Sequence, residues 1–150
     1  AAQKAIENTR SVGVGLGPCT IPANGKPNFQ IEPGTMEFGI GHHGEPGVCV
    51  KPLGSAKQMA QEMVDMVIRD VPFKSGDEAT PVMEQYIFYH EVEELLQQAG
   101  IRVYRSYVGN YFTSLEMNGV TLTMMKLDEE LKECLDMDCA CGGLTQARRP

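Results

Sequence analysis

The segment SVGVGLG, residues 11–17, decides the fold class of this sequence. Its apolar residues alternate with glycines, and a period of two is typical of a β-strand. Glycines inside a strand also let another group approach the backbone closely. We therefore predict a strand here, with a backbone that another part of the protein approaches closely. Its apolar residues are Val12, Val14 and Leu16.

The same alternation recurs at residues 36–40 and leads directly into two histidines. A second strand is therefore predicted here. Its apolar residues are Met36, Phe38 and Ile40, which alternate with Glu37 and Gly39. The stretch GIGHHGEPGV, residues 39–48, is named the histidine segment below.

Four helices are predicted from apolar residues at helical spacing and from capping signals. Ser55 and Gln58 have the pattern of a capping box. Thr80 and Pro81 have the residue types of an N-cap and a first helical position, and Gly100 is a typical helix stop. The predicted helices cover residues 3–9, about 55–70, 80–99 and about 128–135.

The C-terminal half adds further strands to this pattern. Residues 101–108 are rich in β-branched and aromatic side chains, which favour a strand. Asn118 and Gly119 are a strong hairpin-turn signal, with residues 120–127 as the outgoing strand. Strands first, followed by mixed helices and strands, indicate a mixed α/β sheet that is not purely parallel.

Composition limits the classes of function. A chain of 150 residues suits one domain, and its net charge of −7 argues against binding to nucleic acid. No stretch approaches the roughly 20 apolar residues of a membrane span, and residues 1–10 lack a signal-peptide pattern. An odd number of cysteines without a secretion signal indicates reduced thiols and a cytoplasmic protein. They are Cys19, Cys49, Cys134, Cys139 and Cys141.

The histidine segment combines residues that suit carbonyl or acid–base chemistry. A neutral imidazole can act as a nucleophile, base or metal ligand through one nitrogen while an acceptor holds the other. Glu45, which lies close to His43 in sequence, is a candidate for that acceptor. Gly44 and Gly47 remove side chains that would block the approach of a ligand. Surface histidines without a function are the alternative interpretation.

We expect neither a metal nor a cofactor to be bound by this chain. Adjacent residues of an extended chain point to opposite sides, so His42 and His43 rarely ligate one ion. Cys139 and Cys141 lack a second C-x-x-C pair, although a structural metal there is retained as an alternative. No P-loop, helix-opening G-x-G-x-x-G or G-x-S-x-G motif is present.

Most of the sequence resembles the dihydroxyacetone kinase family. Its most specific motifs here are GPCT at 17–20, HGEPG at 43–47 and GNYFTSL at 109–115. The resemblance is to the second half of the substrate-binding K subunit. It implies that residues 1–150 form the C-terminal subdomain of a K-type domain, an α/β two-layer sandwich with a mixed β-sheet and helices on one face. The matching stretches are TRSVGVGLGPCTIPANGKPNF (9–29), MEFGIGHHGEPGV (36–48), ATPVMEQYIFYHEVEELL (79–96) and YRSYVGNYFTSLEMNGVTLTMMKLDEEL (104–131).

The resemblance implies a covalent role for one histidine. In that family the histidine directly before G-E-P-G attacks the ketone of dihydroxyacetone and holds it as a hemiaminal; by position this is His43. His43, Gly44 and Glu45 are then the substrate-binding residues. Because the adduct needs a carbonyl group, polyols such as glycerol are rejected. The tether fixes a small substrate so that its hydroxyl can receive phosphate.

The resemblance also implies several partners. ATP, or ADP with Mg²⁺, is bound by a separate L-type subunit or domain, and some members regenerate the nucleotide with a phosphotransferase-system phosphocarrier. A homodimer in cytoplasmic glycerol metabolism is expected. The general base and the substrate cradle belong to the first half of the K protein. We therefore expect this chain to be a fragment that is inactive as a kinase by itself.

One departure from the family concerns the sheet. The family normally carries an apolar strand and a glycine-rich turn at a point where Glu78 here joins Ala79 directly. Either that strand is deleted or it is missing from this sequence, and in both cases we expect the sheet to lose a member next to the site. Two other interpretations are retained, a non-catalytic dihydroxyacetone-binding sensor or regulatory paralogue and a thiol-rich metal-binding module.

Overall fold

The computed structural model describes residues 1–18, 23, 25–27, 30–40, 47–109 and 117–137. The helices are α1 (Ala2–Glu7), α2 (Ala56–Asp70), α3 (Tyr86–Gln98) and α4 (Glu129–Asp136). The strands are β1 (Thr9–Pro18), β2 (Thr35–Phe38), β3 (Cys49–Pro52), β4 (Glu78–Glu84), β5 (Arg102–Val103), β6 (Tyr107–Gly109) and β7 (Met117–Leu127). No helix within these ranges is long and apolar enough to cross a membrane.

The strands form one mixed sheet. Their order is β3-β2-β1-β7-β4-β5, and β6 also pairs with β4. The neighbours β3, β2, β1, β7 and β4 are antiparallel, whereas β5 and β6 run parallel to β4. The predicted mixed α/β sheet is therefore confirmed.

Helices α2 and α3 pack against each other and cover one face of this sheet. On that face Val14 lies opposite Phe38 and Val120, and all three side chains are fully buried. The other face, here named the glycine face, carries Gly13, Gly15, Glu37 and Thr121, because Gly15 pairs with Glu37 and Gly13 with Thr121. The buried helix residues in the core are Met59, Ala60, Met63, Val64 and Val67 of α2 and Phe88, Tyr89, Val92 and Leu96 of α3.

Local signals place the start of α2 and the end of α3 correctly. The Ser55 side chain accepts a hydrogen bond from the Gln58 backbone N–H, and the Gln58 side chain accepts one from the Ser55 N–H. At the end of α3, Gly100 has φ of 74°, and the N–H of Ile101 donates to the Leu96 carbonyl at 2.9 Å. This is the Schellman arrangement that glycine permits.

The prediction that a helix begins at Thr80 and Pro81 is wrong, because both residues lie inside β4. Strand β4 pairs with β7 along one side, with Pro81 opposite Met124. On its other side, β5 pairs with 78–79 and β6 with 82–84, so Pro81 lies at the break between them. A residue without an N–H is tolerated at such a break. Pairing with β7 thus overrides the local helix signal.

The Glu78–Ala79 junction, where the family carries a further strand and turn, is itself part of the sheet. That junction lies inside β4, which occupies the position between β7 and β5. Helix α3 begins only at Tyr86, after Gln85, whose φ is 63°. The residues that resemble a helix start therefore belong to the strand that pairs with β7 on one side and with β5 and β6 on the other.

The predicted hairpin turn at Asn118 and Gly119 is wrong as well. Both residues belong to β7, where Asn118 lies opposite Gly17 and Gly119 opposite Gly15. Residues 101–108 contain β5 and the start of β6, which pair with β4 and not with β7. The physical reason lies at Gly119, where an added Cβ would be only 2.1 Å from the Val14 carbonyl oxygen. This glycine serves close strand packing and not a turn.

We expect Gly119→Ala to lower the free energy of unfolding by about 1–3 kcal/mol, because the added methyl group overpacks the β1–β7 pairing. Gly17→Ala is the matched control, since a Cβ at Gly17 meets no atom within 4 Å. Urea unfolding monitored by circular dichroism measures both variants. Equal stability of the two would contradict the close approach of β1 and β7.

Candidate functional site

The histidine segment connects the two strands of a hairpin. Phe38, at the end of β2, lies opposite Cys49, at the start of β3. Sequence patterns did not predict β3, which is only four residues long and ends at Pro52. The predicted site residues His43, Gly44 and Glu45 lie outside the described residues, as does the neighbouring His42. Both ends of the segment are described, and they locate it relative to the sheet.

The N-terminal end of the histidine segment, Gly39 and Ile40, packs against strand β1. The Gly39 N–H donates to the Gly13 carbonyl at 2.7 Å, and Gly39 has φ of 78°, a conformation that favours glycine. A Cβ on Gly13 would be 3.0 Å from the Ile40 carbonyl oxygen, and one on Gly15 would be 3.1 Å from Ile40 Cγ2. The close approach predicted for the glycine strand is therefore made by the start of the histidine segment and, at Gly15, also by Ile31, whose Cδ1 would be 2.9 Å from an added Cβ.

The C-terminal end, Gly47 and Val48, is held by β2. The Val48 N–H donates to the Phe38 carbonyl at 2.7 Å, and the Gly47 N–H donates to Glu37 Oε1 at 2.6 Å. A Cβ on Gly47 would be 2.6 Å from both Glu37 Cγ and the Phe38 oxygen. Gly47 was expected to clear the path of a ligand, but its missing side chain is required by these contacts within the hairpin.

Buried polar groups lie on the same face of the sheet. Thr121, opposite Gly13, is 4% exposed, and its hydroxyl has no hydrogen-bond partner among the described residues. Glu84 is fully buried. Because β4 and β7 are antiparallel and Met83 lies opposite Leu122, the next residue of β4, Glu84, lies beside Thr121 of β7. Sequence analysis missed both residues. Their alternation with the apolar residues of β4 and β7 was the available signal.

An apolar surface borders the C-terminal end of the histidine segment. Val48 is 72% exposed, Val50 is 60% exposed and Leu53 is 55% exposed. Val50 lies in β3, at the edge of the sheet, directly opposite Glu37. Large apolar side chains grouped at a sheet edge are typical of a surface that contacts another protein or domain.

Metal-binding chemistry finds no support in the part of the chain that the structure describes. There, no three His, Cys, Asp or Glu side chains are grouped so that they could hold an ion. Cys134 is an exposed free thiol. Cys139 and Cys141, the other residues of the alternative metal site, lie outside the described ranges.

The arrangement at the two ends favours chemistry that depends on positioning. Hydrogen bonds from Gly39 to Gly13, and from Gly47 and Val48 to Glu37 and Phe38, hold the described residues at both ends of the histidine segment. All three partners belong to paired strands, so the fixed points are part of the sheet. A rigid support of this kind reduces the entropy lost when a reactive side chain and a substrate are brought together.

Comparisons with known proteins agree on one family. Residues 1–142 match the family model described as the Dak1 domain. The dihydroxyacetone-binding subunit DhaK of a PTS-dependent dihydroxyacetone kinase of Listeria innocua is 38% identical over 148 residues, which cover 93% of this chain and 45% of that protein. The chain thus spans less than half the length of this relative.

Two solved structures have a similar fold. A dihydroxyacetone kinase operon co-activator, Dha-DhaQ, has a TM-score of 0.81 and 26% identity, covering 91% of this chain and 45% of that one. The native dihydroxyacetone kinase of C. freundii has a TM-score of 0.74 and 26% identity, covering 91% of this chain and 26% of that one. One neighbour is thus named as a kinase and the other as a co-activator.

We expect Thr121→Val to raise the free energy of unfolding by about 1–3 kcal/mol, because it removes a buried hydroxyl that no described residue bonds, while keeping the branched shape. Thr123→Val is the matched control on the same strand, since the Thr123 hydroxyl bonds the Ser11 hydroxyl at 2.6 Å. Urea unfolding compares the two. A loss of stability at position 121 would mean that its hydroxyl makes a bond in solution.

Proposed function

Because the chain belongs to the Dak1 domain family, we propose that it is the substrate-binding part of a dihydroxyacetone kinase, in which His43 tethers dihydroxyacetone for phosphorylation to dihydroxyacetone phosphate. The observation that carries this proposal is the anchoring of the histidine segment at Gly39 and Gly47 on the glycine face. The name of the Listeria innocua relative, a dihydroxyacetone-binding subunit, supports the choice of substrate.

The proposed step is the addition of a neutral imidazole to a ketone. A nitrogen of His43 forms a bond to the carbonyl carbon as the carbon–oxygen double bond becomes a single bond. The oxygen gains a proton and becomes a hydroxyl, while the other ring nitrogen loses its proton. Nothing leaves, so the protein gains the mass of one whole substrate molecule. Only substrates with an accessible carbonyl react.

Gly44 and Glu45 have supporting roles in this proposal. Before the reaction, Glu45 accepts a hydrogen bond from the N–H of the second ring nitrogen, which favours the tautomer with a free nucleophilic nitrogen. Gly44, directly after the nucleophile, leaves space for the ketose. The tethered hydroxyl then faces the phosphate donor in line, which is the geometry that phosphoryl transfer requires.

The phosphate donor belongs to a partner in this proposal. An L-type subunit or domain holds ATP or ADP with Mg²⁺, and the word PTS in the name of the Listeria innocua relative supports a phosphotransferase-system phosphocarrier as the source of phosphate. The exposed side chains of Val48, Val50 and Leu53 support contact with another protein or domain beside the site. We also propose a homodimer and a place in cytoplasmic glycerol metabolism.

A second candidate function is that of a ketose-binding regulatory protein. The observation in its favour is the TM-score of 0.81 with the dihydroxyacetone kinase operon co-activator. A sensor could use the same covalent capture without phosphoryl transfer. Capture tests the role of His43 in both candidates, whereas phosphorylation of the captured ketose separates them.

We expect His43→Ala to abolish covalent capture of dihydroxyacetone, because the variant lacks the nucleophilic nitrogen. Native mass spectrometry of the full chain incubated with dihydroxyacetone measures the added mass of one substrate molecule. His42→Ala is the control, since it removes the neighbouring imidazole and should retain most of the capture. An adduct of unchanged abundance in His43→Ala would show that another residue is the nucleophile.

A separate expectation concerns turnover. The purified 150-residue chain should not convert ATP and dihydroxyacetone into dihydroxyacetone phosphate by itself, since the general base, the substrate cradle and the nucleotide site are assigned to other parts of the enzyme. Addition of the first K half and an L-type partner should give activity. A coupled assay for dihydroxyacetone phosphate measures this. Steady turnover by the chain alone would contradict the division of labour.

A further inference from the structure

We propose that Glu37 is a positioning residue for capture of the ketose, because its carboxylate fixes the C-terminal end of the histidine segment. This inference rests on the proposed function of His43. It adds a residue that does not react with the substrate. Glu37 acts through the backbone of Gly47 and determines how much of the protein has the histidine segment ready for reaction.

The first support is the contact itself. Glu37 Oε1 accepts the Gly47 N–H at 2.6 Å, a short hydrogen bond to a charged acceptor. A Cβ on Gly47 would lie 2.6 Å from Glu37 Cγ and 2.8 Å from Oε1, so the Gly47 backbone lies directly against this side chain. Only glycine allows this approach. Both partners are therefore required for the contact.

The second support is the rigidity of the backbone that carries Glu37. The residue lies in β2 between two paired neighbours, opposite Gly15 on β1 and Val50 on β3. Its backbone is therefore held from both sides, and alternation directs its side chain to the glycine face. The adjacent Met36 and Phe38 are buried in the core on the other face. The carboxylate thus extends from a fixed part of the sheet.

The third support is the position of His43 between the two fixed ends. Gly39 is bonded to Gly13 on one side, and Gly47 is bonded to Glu37 on the other. Val48 and Phe38 close the hairpin, but their bond involves only main-chain atoms. The Glu37 contact is therefore an anchor that a side-chain substitution can remove while the hairpin remains paired.

Loss of this anchor should weaken capture without removing the chemistry. A protein whose reactive conformation is populated only in part binds with an apparent affinity reduced by that fraction. Saturating ketose still draws the whole population into the adduct. The concentration of dihydroxyacetone at half-maximal capture should therefore rise, whereas the maximal extent of capture should stay the same. Irreversible loss of folded protein would instead lower the maximal extent, whereas reversible global unfolding would also raise the half-saturation concentration and is therefore separated by a control variant.

Three variants of the full chain test this inference. Glu37→Ala removes the acceptor, whereas Glu37→Gln keeps an oxygen that can accept the Gly47 N–H. Glu62→Ala is the matched control, because Glu62 of α2 pairs with Lys51 of β3 and so supports the same hairpin away from Gly47. Native mass spectrometry across a range of dihydroxyacetone concentrations gives the half-saturation concentration and the maximal extent for each variant.

We expect Glu37→Ala to raise the half-saturation concentration roughly tenfold to a hundredfold, the usual range for a hydrogen bond to a charged group. Glu37→Gln should recover most of this loss, and Glu62→Ala should match the wild type. Exchange of the Gly47 amide proton, followed by NMR, should be faster in Glu37→Ala than in Glu62→Ala.

Two results would overturn the inference while leaving the role of His43 intact. One is unchanged half-saturation in Glu37→Ala. The other is an equal effect in Glu37→Ala and Glu62→Ala, which would indicate general weakening of the hairpin. Absence of any adduct in the wild-type chain would be a different outcome, since it would refute the proposed function together with this inference.

Discussion

The absence of side chains at Gly13 and Gly15 is the constraint on which the rest of the structure depends. Because these positions are bare, Ile40 can lie against β1, and the Gly39 N–H can reach the Gly13 carbonyl. The same strand is paired on both sides, with β2 and with β7, so it forms the middle of the sheet. Strand β1 thus contributes Val12 and Val14 to the core on one face of the sheet, and on the other face it contacts the start of the histidine segment.

Local signals were sufficient for some elements. The Ser55 cap, the end of α3 at Gly100 and the alternation in β1 each depend on residues close together in sequence, and all three predictions are confirmed. Thr80 and Pro81 also had a clear local signal, but they pair with Met125 and Met124 of β7. Pairing between strands that are distant in sequence also stabilises the fold, and a pattern of neighbouring residues does not reveal it.

The candidate site shows the same limit. Alternation placed Glu37 away from the core, but its partner Gly47 lies across a hairpin whose second strand, β3, was not predicted. The role of His43 came from family resemblance and remains a prediction, because that residue lies outside the described ranges. The described residues show the hydrogen bonds that hold the segment on either side of the proposed nucleophile, at Gly39 and at Gly47. These bonds serve a kinase and a sensor equally well.

The long pairing of β1 with β7 has a consequence for how the protein acquires its structure. Thr9 lies opposite Met125, so this ladder joins the two ends of the described chain, whereas the β2–β3 hairpin closes within one short stretch. Contacts between residues far apart in sequence form slowly, because a large loop must close first. During synthesis the β2–β3 hairpin can therefore pair early, but β1 has its second neighbour only after β7 leaves the ribosome. Maturation of the site is thus tied to the synthesis of β7.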